Sequence, residues 1–298
     1  MVQIPLYKTL VAMEVANVHP TFNGDTVHIP RFTEVSAQTY NPSGAAGAVS
    51  ATNQAWTYDT IVVTTYKHAT VYIDEAKKQV INVDQWRSLA NSEAYAIKNK
   101  IDGDTFKNIT GADGFTYVGV NALSLQGGVK NRPATASSST VVSIFANARK
   151  LLRQANVEEM GDWCAVITPT VAAAVEIKAA STGFNVADAT LRNGYAGNFM
   201  GFEVYISNNL PSAGCSTVNP ILTATPASST NCRSLYFGRK KMIDLYLMPP
   251  TLRIQPRADA IGTNYTTYTV YGSGLTNKNA ARGLNVAVDI TCTTGSGG

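Results

Sequence analysis

An α+β fold arranged around one long helix follows from three features of the 298-residue sequence. A stretch from Asn82 to Phe106 carries a single apolar stripe and signals at both ends of a helix. A β segment from Trp56 to Ile73 runs too far to fit inside a compact body. After residue 160, short apolar strands alternate with helices before the chain returns to β structure.

The helix is the plainest of the three. Asn82 can cap its first turn, and Gln85 can reach back to the cap. Val83, Trp86, Ala90, Ala94, Ile97 and Ile101 recur at intervals of three and four, which places them on one face. Arg87, Asn91, Lys98 and Lys100 fall off that face. Gly103 is the expected exit, in a left-handed conformation, so the sequence predicts a spine over 82–102. At about 1.5 Å per residue such a helix is roughly 30 Å long, the width of a small domain.

Before the helix lies the β segment. Gly24-Asp25 opens a strand from Thr26 to Val35 that includes His28 and Arg31. A small, uncharged tip follows from Asn41 to Gln54. Trp56 to Ile73 then runs about eighteen residues of β-branched and aromatic types without Gly or Pro. Unbroken, it would reach roughly 60 Å, against a diameter of roughly 50 Å for a compact chain of this size. Part of it must leave the body as an arm. Two strands alone are marginal in water, so the arm calls for a second surface, such as that of another subunit.

The remaining elements follow in order. Residues 1–20 read as an extended arm with a short amphipathic helix on Leu6, Leu10 and Met13, ended by Pro20. Residues 111–128 are rich in turns, and 130–139 form a linker. A second helix starts at Ser139 or Thr140 and buries Val141, Ile144, Phe145, Ala148, Leu151, Leu152 and Ala155. Arg149, Lys150 and Arg153 lie off that face as a solvated basic edge. Trp163–Ile167 is a buried strand feeding Thr168-Pro169, a cap and first-turn proline that start a third helix through Ala180. Gly183 to Phe199 is loop-like, and Gly201–Ser207 is a strand. After a long loop, Ser234–Leu247 reads as two strands about a Gly238 turn, and Pro249-Pro250 then breaks the chain. Two alternating segments, Asn264–Tyr271 and Leu284–Ile290, are expected to pair as a hairpin.

Composition narrows the function. Apolar residues make up 45% and charged residues only 15%, against about 25% charged in ordinary soluble proteins. A poorly charged surface suits a protein covered by neighbours. The net charge of +4 comes without a basic block, so the footprint of a dedicated nucleic-acid binder is missing. Val2 to Leu6 does not open a signal peptide, and no apolar run approaches the roughly 20 residues of a membrane span. The expectation is a soluble chain, made in a cytoplasm, with no membrane partner. That also weakens a secreted adhesin or pilin reading.

No chemistry emerges from the motifs. The four cysteines lack metal-ligand spacing, although Cys215 and Cys232 bracket a Ser/Thr/Pro-rich loop that a disulfide could close. Tyr271-Gly-Ser-Gly-Leu275 lacks the strand-to-helix setting of a nucleophile elbow. Asp102-Gly-Asp104 falls short of a calcium loop and reads better as a helix end. The sequence points to no catalytic residue, cofactor or metal, and to no enzyme.

Several stretches, in this order, resemble the major capsid proteins of tailed bacteriophages. Gly24-Asp-Thr-Val-His-Ile-Pro30 is similar to the start of that family's extended E-loop, and Tyr66-Lys-His-Ala-Thr-Val-Tyr-Ile-Asp74 to its return strand. Asn82–Ile101 is similar to the spine helix. Trp163-Cys-Ala-Val-Ile-Thr-Pro-Thr170 resembles the entry to the axial domain. Gly197-Asn-Phe-Met-Gly-Phe-Glu-Val-Tyr-Ile-Ser-Asn-Asn-Leu-Pro211 resembles its strand pair, and Ser234-Leu-Tyr-Phe-Gly238 fits as well.

The resemblance implies the Hong Kong-97-type capsid fold. Its parts would be an N-terminal arm (1–20), an E-loop (21–73), a peripheral domain with the spine (74–160), an axial domain (161–250), and return strands with a tail (251–298). It further implies a non-enzymatic subunit that assembles in the host bacterial cytoplasm. Hexamers and pentamers would tile an icosahedral virion shell around double-stranded DNA. A separate scaffolding protein, a portal protein and decoration proteins are the further partners; DNA contacts would be weak and non-specific. An encapsulin-type bacterial compartment is the alternative on the same fold. Arg31, Glu34, Trp56 and Lys67 are the expected inter-subunit contacts. Residues 31–66 contain no lysine, so no covalent link is expected from the E-loop tip, and Lys67 at its base is the nearby candidate.

A core position on the spine can be tested directly. Trp86→Ala is expected to cost about 3–5 kcal/mol and to block shell formation through misfolding. Thermal unfolding and electron microscopy check it; an unchanged melt with normal shells would remove the spine role.

Overall fold

The computed structural model describes residues 11–20, 24–32, 56–78, 83–108, 116–118, 134–135, 138–154, 157, 162–181, 197–211, 232–275 and 283–289. In chain order its elements begin with α1 (Ala12–Val15), β1 (Asn17–His19), β2 (Thr26–Phe32), β3 (Trp56–Val62), β4 (Thr65–Asp74), α2 (Glu75–Lys78) and α3 (Val83–Asn108). They continue with β5 (Thr116–Val118), β6 (Ala134–Thr135), α4 (Ser138–Gln154), β7 (Trp163–Ile167), α5 (Pro169–Ser181), β8 (Asn198–Phe199) and β9 (Phe202–Ile206). The last are β10 (Cys232–Arg239), β11 (Ile243–Leu247), β12 (Thr251–Pro256), β13 (Gly262–Leu275) and β14 (Leu284–Asp289).

The first sheet is built on β13, the longest described strand. β4 pairs with one edge of it, antiparallel from Gly262↔Asp74 to Tyr271↔Thr65. β12 and β11 lie end to end along its other edge, separated where Pro249 and Pro250 cannot donate to a ladder. β1 adds in parallel outside β11. The helix α3 packs on β13 and β4. Strand alternation then decides which residues it covers: Ile73, Thr263, Thr267, Thr269 and Tyr271 are buried, while Tyr66, His68, Thr70 and Tyr72 are exposed.

The second sheet runs β5-β14-β10-β7-β9-β8, with β6 also on β14. β7 is buried along its whole length. Phe145 of α4 fills the space above it, meeting Phe199, Phe202 and Phe237 edge-on at 4.9, 5.9 and 5.1 Å. Trp163 stacks on Phe202 at 5.4 Å. β8 and β9 join through Met200 and Gly201, both at positive φ (51° and 85°), the geometry that suits the twist of a two-residue hairpin. One hydrophobic core links both sheets, since Ile97, Ile101, Leu245 and Tyr271 belong to the same buried cluster as Phe145 and Trp163.

Several expectations need correcting. The spine does not end at Gly103; α3 spans 26 residues, about 39 Å at 1.5 Å per residue. It continues because Thr105 and Phe106 are buried beyond the glycine. Ile97 and Ile101 lie in the core and Ala94 is half-buried, but Ala90 is exposed. Ala90 is in phase with Ile97 but lies outside the buried run, which at this end of the helix stops at Glu93. Val83 and Trp86 sit in α3, with their side chains outside the described residues.

The long β run breaks at Val63-Thr64, so β3 pairs with β2 and β4 joins the first sheet. β13 and β14 form no hairpin, because they lie in different sheets. β10 and β11 are likewise split between the sheets. The chain turns at Lys240-Lys241, where Lys241 takes φ 62°, and Gly238 lies inside β10. In α1 the buried residues are Ala12 and Val15, and Met13 is exposed. β12 was not foreseen, nor was the short strand β6, whereas the strand pair expected over 197–211 is present as β8 and β9.

A single carboxylate ties these parts together. Asp102 is buried on α3. One of its oxygens accepts from the Ala12 amide at 2.7 Å, and the other accepts from Ser207 Oγ at 2.9 Å and Asn209 Nδ2 at 3.0 Å. Losing an acceptor in a buried site leaves donors unsatisfied, at about 1–3 kcal/mol each. Asp102→Ala should therefore lower stability by about 3 kcal/mol or more, read by urea denaturation. A change below about 1 kcal/mol would remove the carboxylate from this role.

Candidate assembly site

The arm grows from the first sheet by a sharp change of direction. β2 and β3 pair from Thr26↔Val62 to Phe32↔Trp56, and the Val63 amide closes the root by donating to Asp25 O at 2.7 Å. The root rests on β13. A Cβ on Gly272 would lie 2.8 Å from Val63 Cα and would overlap the Val62 carbonyl. One on Gly274 would come within 3.1 Å of Ile61 Cγ1. Of the two glycines in Tyr271-Gly-Ser-Gly-Leu275, Gly272 is thus a seat for crossing backbone and Gly274 makes room for the Ile61 side chain.

Alternation gives the arm two unlike faces. On one, Ile61 and Val63 bury themselves with Tyr246, and Val27, Ile29 and Val270 pack around them. On the other, Trp56 and Tyr58 are each 63% exposed, beside an exposed Val62. Tyr58 stands edge-on to His28 at 6.5 Å. An apolar, aromatic face on a two-stranded ribbon is a surface of the kind that partners cover.

Polar contacts fix the base of the arm. Tyr271 donates its hydroxyl to Asp104 Oδ2 at 2.7 Å. Lys67 and Lys100 reach the same carboxylate at 4.0 and 3.5 Å. Burial, and then the bond to Asp104, pushes the Tyr271 phenol well above its usual range. About three turns earlier on α3, Glu93 is buried and accepts from Thr267 Oγ1 at 2.8 Å. The N-terminal segment joins nearby: His19 stacks on Tyr246 at 4.5 Å, and its Nε2 lies 3.0 Å from Asp244 Oδ1. Tyr246 therefore touches both the N-terminal strand and the arm root.

The expected contact residues fall as follows. Trp56 is on the exposed face, and Lys67 is beside Asp104 of its own chain. Arg31 stands opposite Thr57 in β2; its side chain, and Glu34 entirely, lie outside the described residues. So do Cys215 and the side chain of Cys232, leaving that disulfide untested. The basic edge Arg149, Lys150 and Arg153 lines an open cavity of about 510 Å³ with Ala146, Gln154 and Met200. Among the described residues no group of three or more His, Cys, Asp or Glu could hold a metal ion. Burial pushes the Cys164 thiol up to about 12, against the pull of Lys240, so it is a packing group and a poor nucleophile. The roles of Asp104, Tyr271, Gly272 and Gly274 escaped sequence reasoning; the Asp102-Gly-Asp104 and Y-G-S-G-L runs were their visible signals.

The phenols of this core set a pH dependence. Burial also raises the Tyr236 phenol well above its ordinary value, and that of Tyr205 to about 12. Groups that hold their protons more tightly when folded contribute fully below the unfolded pKa, and that contribution is lost as pH rises. Stability should hold to about pH 9 and fall above about pH 10. Tyr271→Phe should cost about 1 kcal/mol at neutral pH and flatten the alkaline decline, as read by denaturant midpoints at stepped pH. An unaltered slope would count against the Tyr271–Asp104 bond.

Comparison with known proteins bears on this geometry. No curated protein matches the sequence significantly. Solved structures share its fold. One from Mycobacterium phage Che8 is 17% identical, covers 96% of this chain and 93% of its own, and has a TM-score of 0.70. The capsid of the cyanophage P-SCSP1u is 15% identical, with 97% and 90% covered and a TM-score of 0.70. The mature capsid of bacteriophage PhiM1 is 14% identical, with 97% and 89% covered and a TM-score of 0.63. Identities this low establish the fold, which is the Hong Kong-97-type capsid fold. A family model described as "Phage capsid protein" matches residues 56–284, from the first residue of β3 to the first of β14. The chain belongs to the phage capsid protein family, as a major capsid protein of the tailed-phage type.

Proposed function

We propose that this subunit tiles an icosahedral shell as hexamers and pentamers around packaged double-stranded DNA. As a capsid protein it resides in the virion shell and self-associates into capsomers. The finer reading adds a separate scaffolding protein during assembly in the host cytoplasm, a portal protein, decoration proteins, and weak DNA contacts spread over a lightly charged surface. It also takes the subunit to have no enzymatic activity. The five-part division into N-terminal arm, E-loop, peripheral domain, axial domain and return strands belongs to the same reading. The encapsulin-type alternative is not favoured by the match to a phage family.

One observation carries the proposal: an arm whose root is buried and whose outer aromatic face is open. An isolated ribbon of this kind is marginally stable, so its exposed face suits a neighbouring subunit's peripheral domain. Trp56 would anchor that contact, with Arg31, Glu34 and Lys67 as ion-pairing candidates around it. Buried aromatic anchors commonly carry most of an interface's energy.

The paired substitution Trp56→Asp with Tyr58→Asp should leave the subunit's thermal unfolding unchanged and abolish shells in electron micrographs. Normal shells from that variant would remove the arm from assembly. Wild-type particles filled with protein cargo and free of DNA would support the compartment alternative.

A further inference from the structure

The basic edge of α4 borders the open cavity of about 510 Å³ at the β8–β9 turn. Arg149, Lys150 and Arg153 converge there from two successive turns of the helix. Gln154 is the remaining polar side chain, and Ala146 and Met200 form an apolar floor. Among the described residues that line the cavity, none is acidic. The packing of α4 explains the convergence. Its opposite face is occupied by Val141, Ile144, Phe145, Ala148 and Leu152, all buried, so the residues between them are turned outward.

The cations are held at different depths. A Cβ on Gly201 would stand 3.7 Å from Arg149 Cζ, so the half-buried Arg149 guanidinium lies against the β8–β9 turn. Lys150 and Arg153 are exposed at the rim. Arg149 and Arg153 also have interactions of their own, and a guanidinium with five N–H donors serves more than one acceptor. The nearby C-terminal end of α4 contributes about half a negative charge against three cations, so the field in the cavity stays positive. Such a site selects an anion, and its shape selects among anions. Arg149 and Arg153 are about 6 Å apart along the helix at 1.5 Å per residue. One strand of double-stranded DNA advances about 3.4 Å of axis per phosphate, so neighbouring phosphates can face both arginines. Guanidinium groups match phosphate oxygens in pairs, and an open cavity lets a strand run across it. Carboxylates of a second copy are a poorer source. Asp102, Asp104, Asp162, Glu203, Asp244 and Asp259 are all engaged within their own chain.

We propose that this cavity holds the phosphodiester backbone of double-stranded DNA, with Arg149, Lys150 and Arg153 as its phosphate contacts. The inference rests on the reading of the shell as a container for DNA, and it names one place where the contacts concentrate. Phosphate contacts position a strand without reading its sequence, which suits a shell that must hold DNA of any sequence. Each phosphate neutralised by a cation releases condensed counterions, so binding at the cavity falls steeply as salt rises.

Fluorescence anisotropy of a short labelled duplex with the full-length subunit, across a salt series, tests it. Lys150→Gln with Arg153→Gln should leave thermal unfolding unchanged and weaken duplex binding at least tenfold at low salt. It should also lower the slope of log affinity against log salt by about 2. Lys77→Gln with Lys98→Gln removes the same charge from exposed positions on α2 and α3 and should change affinity by less than about twofold. Equal losses from the two pairs, or an unchanged salt slope, would overturn the inference. Polyglutamate that displaces the duplex and depends on the same two residues would assign the cavity to an acidic protein instead. Inorganic phosphate binding that depends on them, with duplex binding unaffected, would assign it to the free ion. Each of these results leaves the container reading intact. Wild-type particles that hold protein and no DNA would overturn that reading, whatever the duplex does.

Discussion

The buried carboxylate of Asp102 is the contact on which the rest of the architecture leans. It sits where three separate parts of the chain converge: the first amide of α1, the spine, and the loop after β9. A helix of four residues cannot persist alone, because nucleation outweighs so few hydrogen bonds. α1 has no local side-chain cap. Asp102 supplies one from 90 residues away, and the burial of Ala12 and Val15 does the rest. Asn209 reinforces the junction by also donating to Asn99 Oδ1 at 2.6 Å. The two sheets share one core because this polar junction is satisfied between them. Unsatisfied, it would cost more than the short elements around it can return.

A steric constraint governs the arm in the same way. A ribbon that leaves a sheet must turn without exposing its own backbone, and here it does so by crossing β13. The crossing is close enough that only hydrogen fits at Gly272. Ile61, Val63 and Tyr246 then cover the turn. The Lys67, Lys100 and Tyr271 side chains meet Asp104 just beneath it. Partly exposed ion pairs like these contribute little individually. The hydroxyl bond to Asp104 and the glycine seat are what hold the base in place.

Much of this was legible in the sequence wherever one periodicity ran undisturbed. α4 buries Val141, Ile144, Phe145, Ala148 and Leu152, as their spacing requires. β7 matches its expected bounds, and Thr168-Pro169 does start α5. Tertiary effects were not legible. Gly103 carries an ordinary helix-end signal, but the packing of Thr105 and Phe106 overrides it. Alternation identified β13 and β14 as half-buried strands and could not say that they belong to different sheets. The stretch ending Ser207-Asn-Asn-Leu-Pro211 stood out as a motif, yet its physical meaning, two side chains bonded to Asp102, depends on a residue about a hundred positions earlier. The glycines at 272 and 274 match an enzymatic template only superficially, because their true partners, the Val62-Val63 backbone and the Ile61 side chain, are far away in sequence.

The distribution of uncovered apolar surface fits a chain whose folding is finished by its neighbours. With only 15% charged residues, such surface is not diluted by charge as it is in an ordinary monomer. Full burial of one large apolar side chain is worth about 1.5–3 kcal/mol, so no single contact from these patches would lock a subunit irreversibly. The arm is a two-stranded ribbon anchored, among the described residues, at its root, and it gains stability from whatever covers it. A ribbon that gains order on contact is suited to holding a subunit in place once it has arrived. Reversible placement followed by progressive locking is the sequence of events such a surface favours, because errors can then dissociate before the arm is committed.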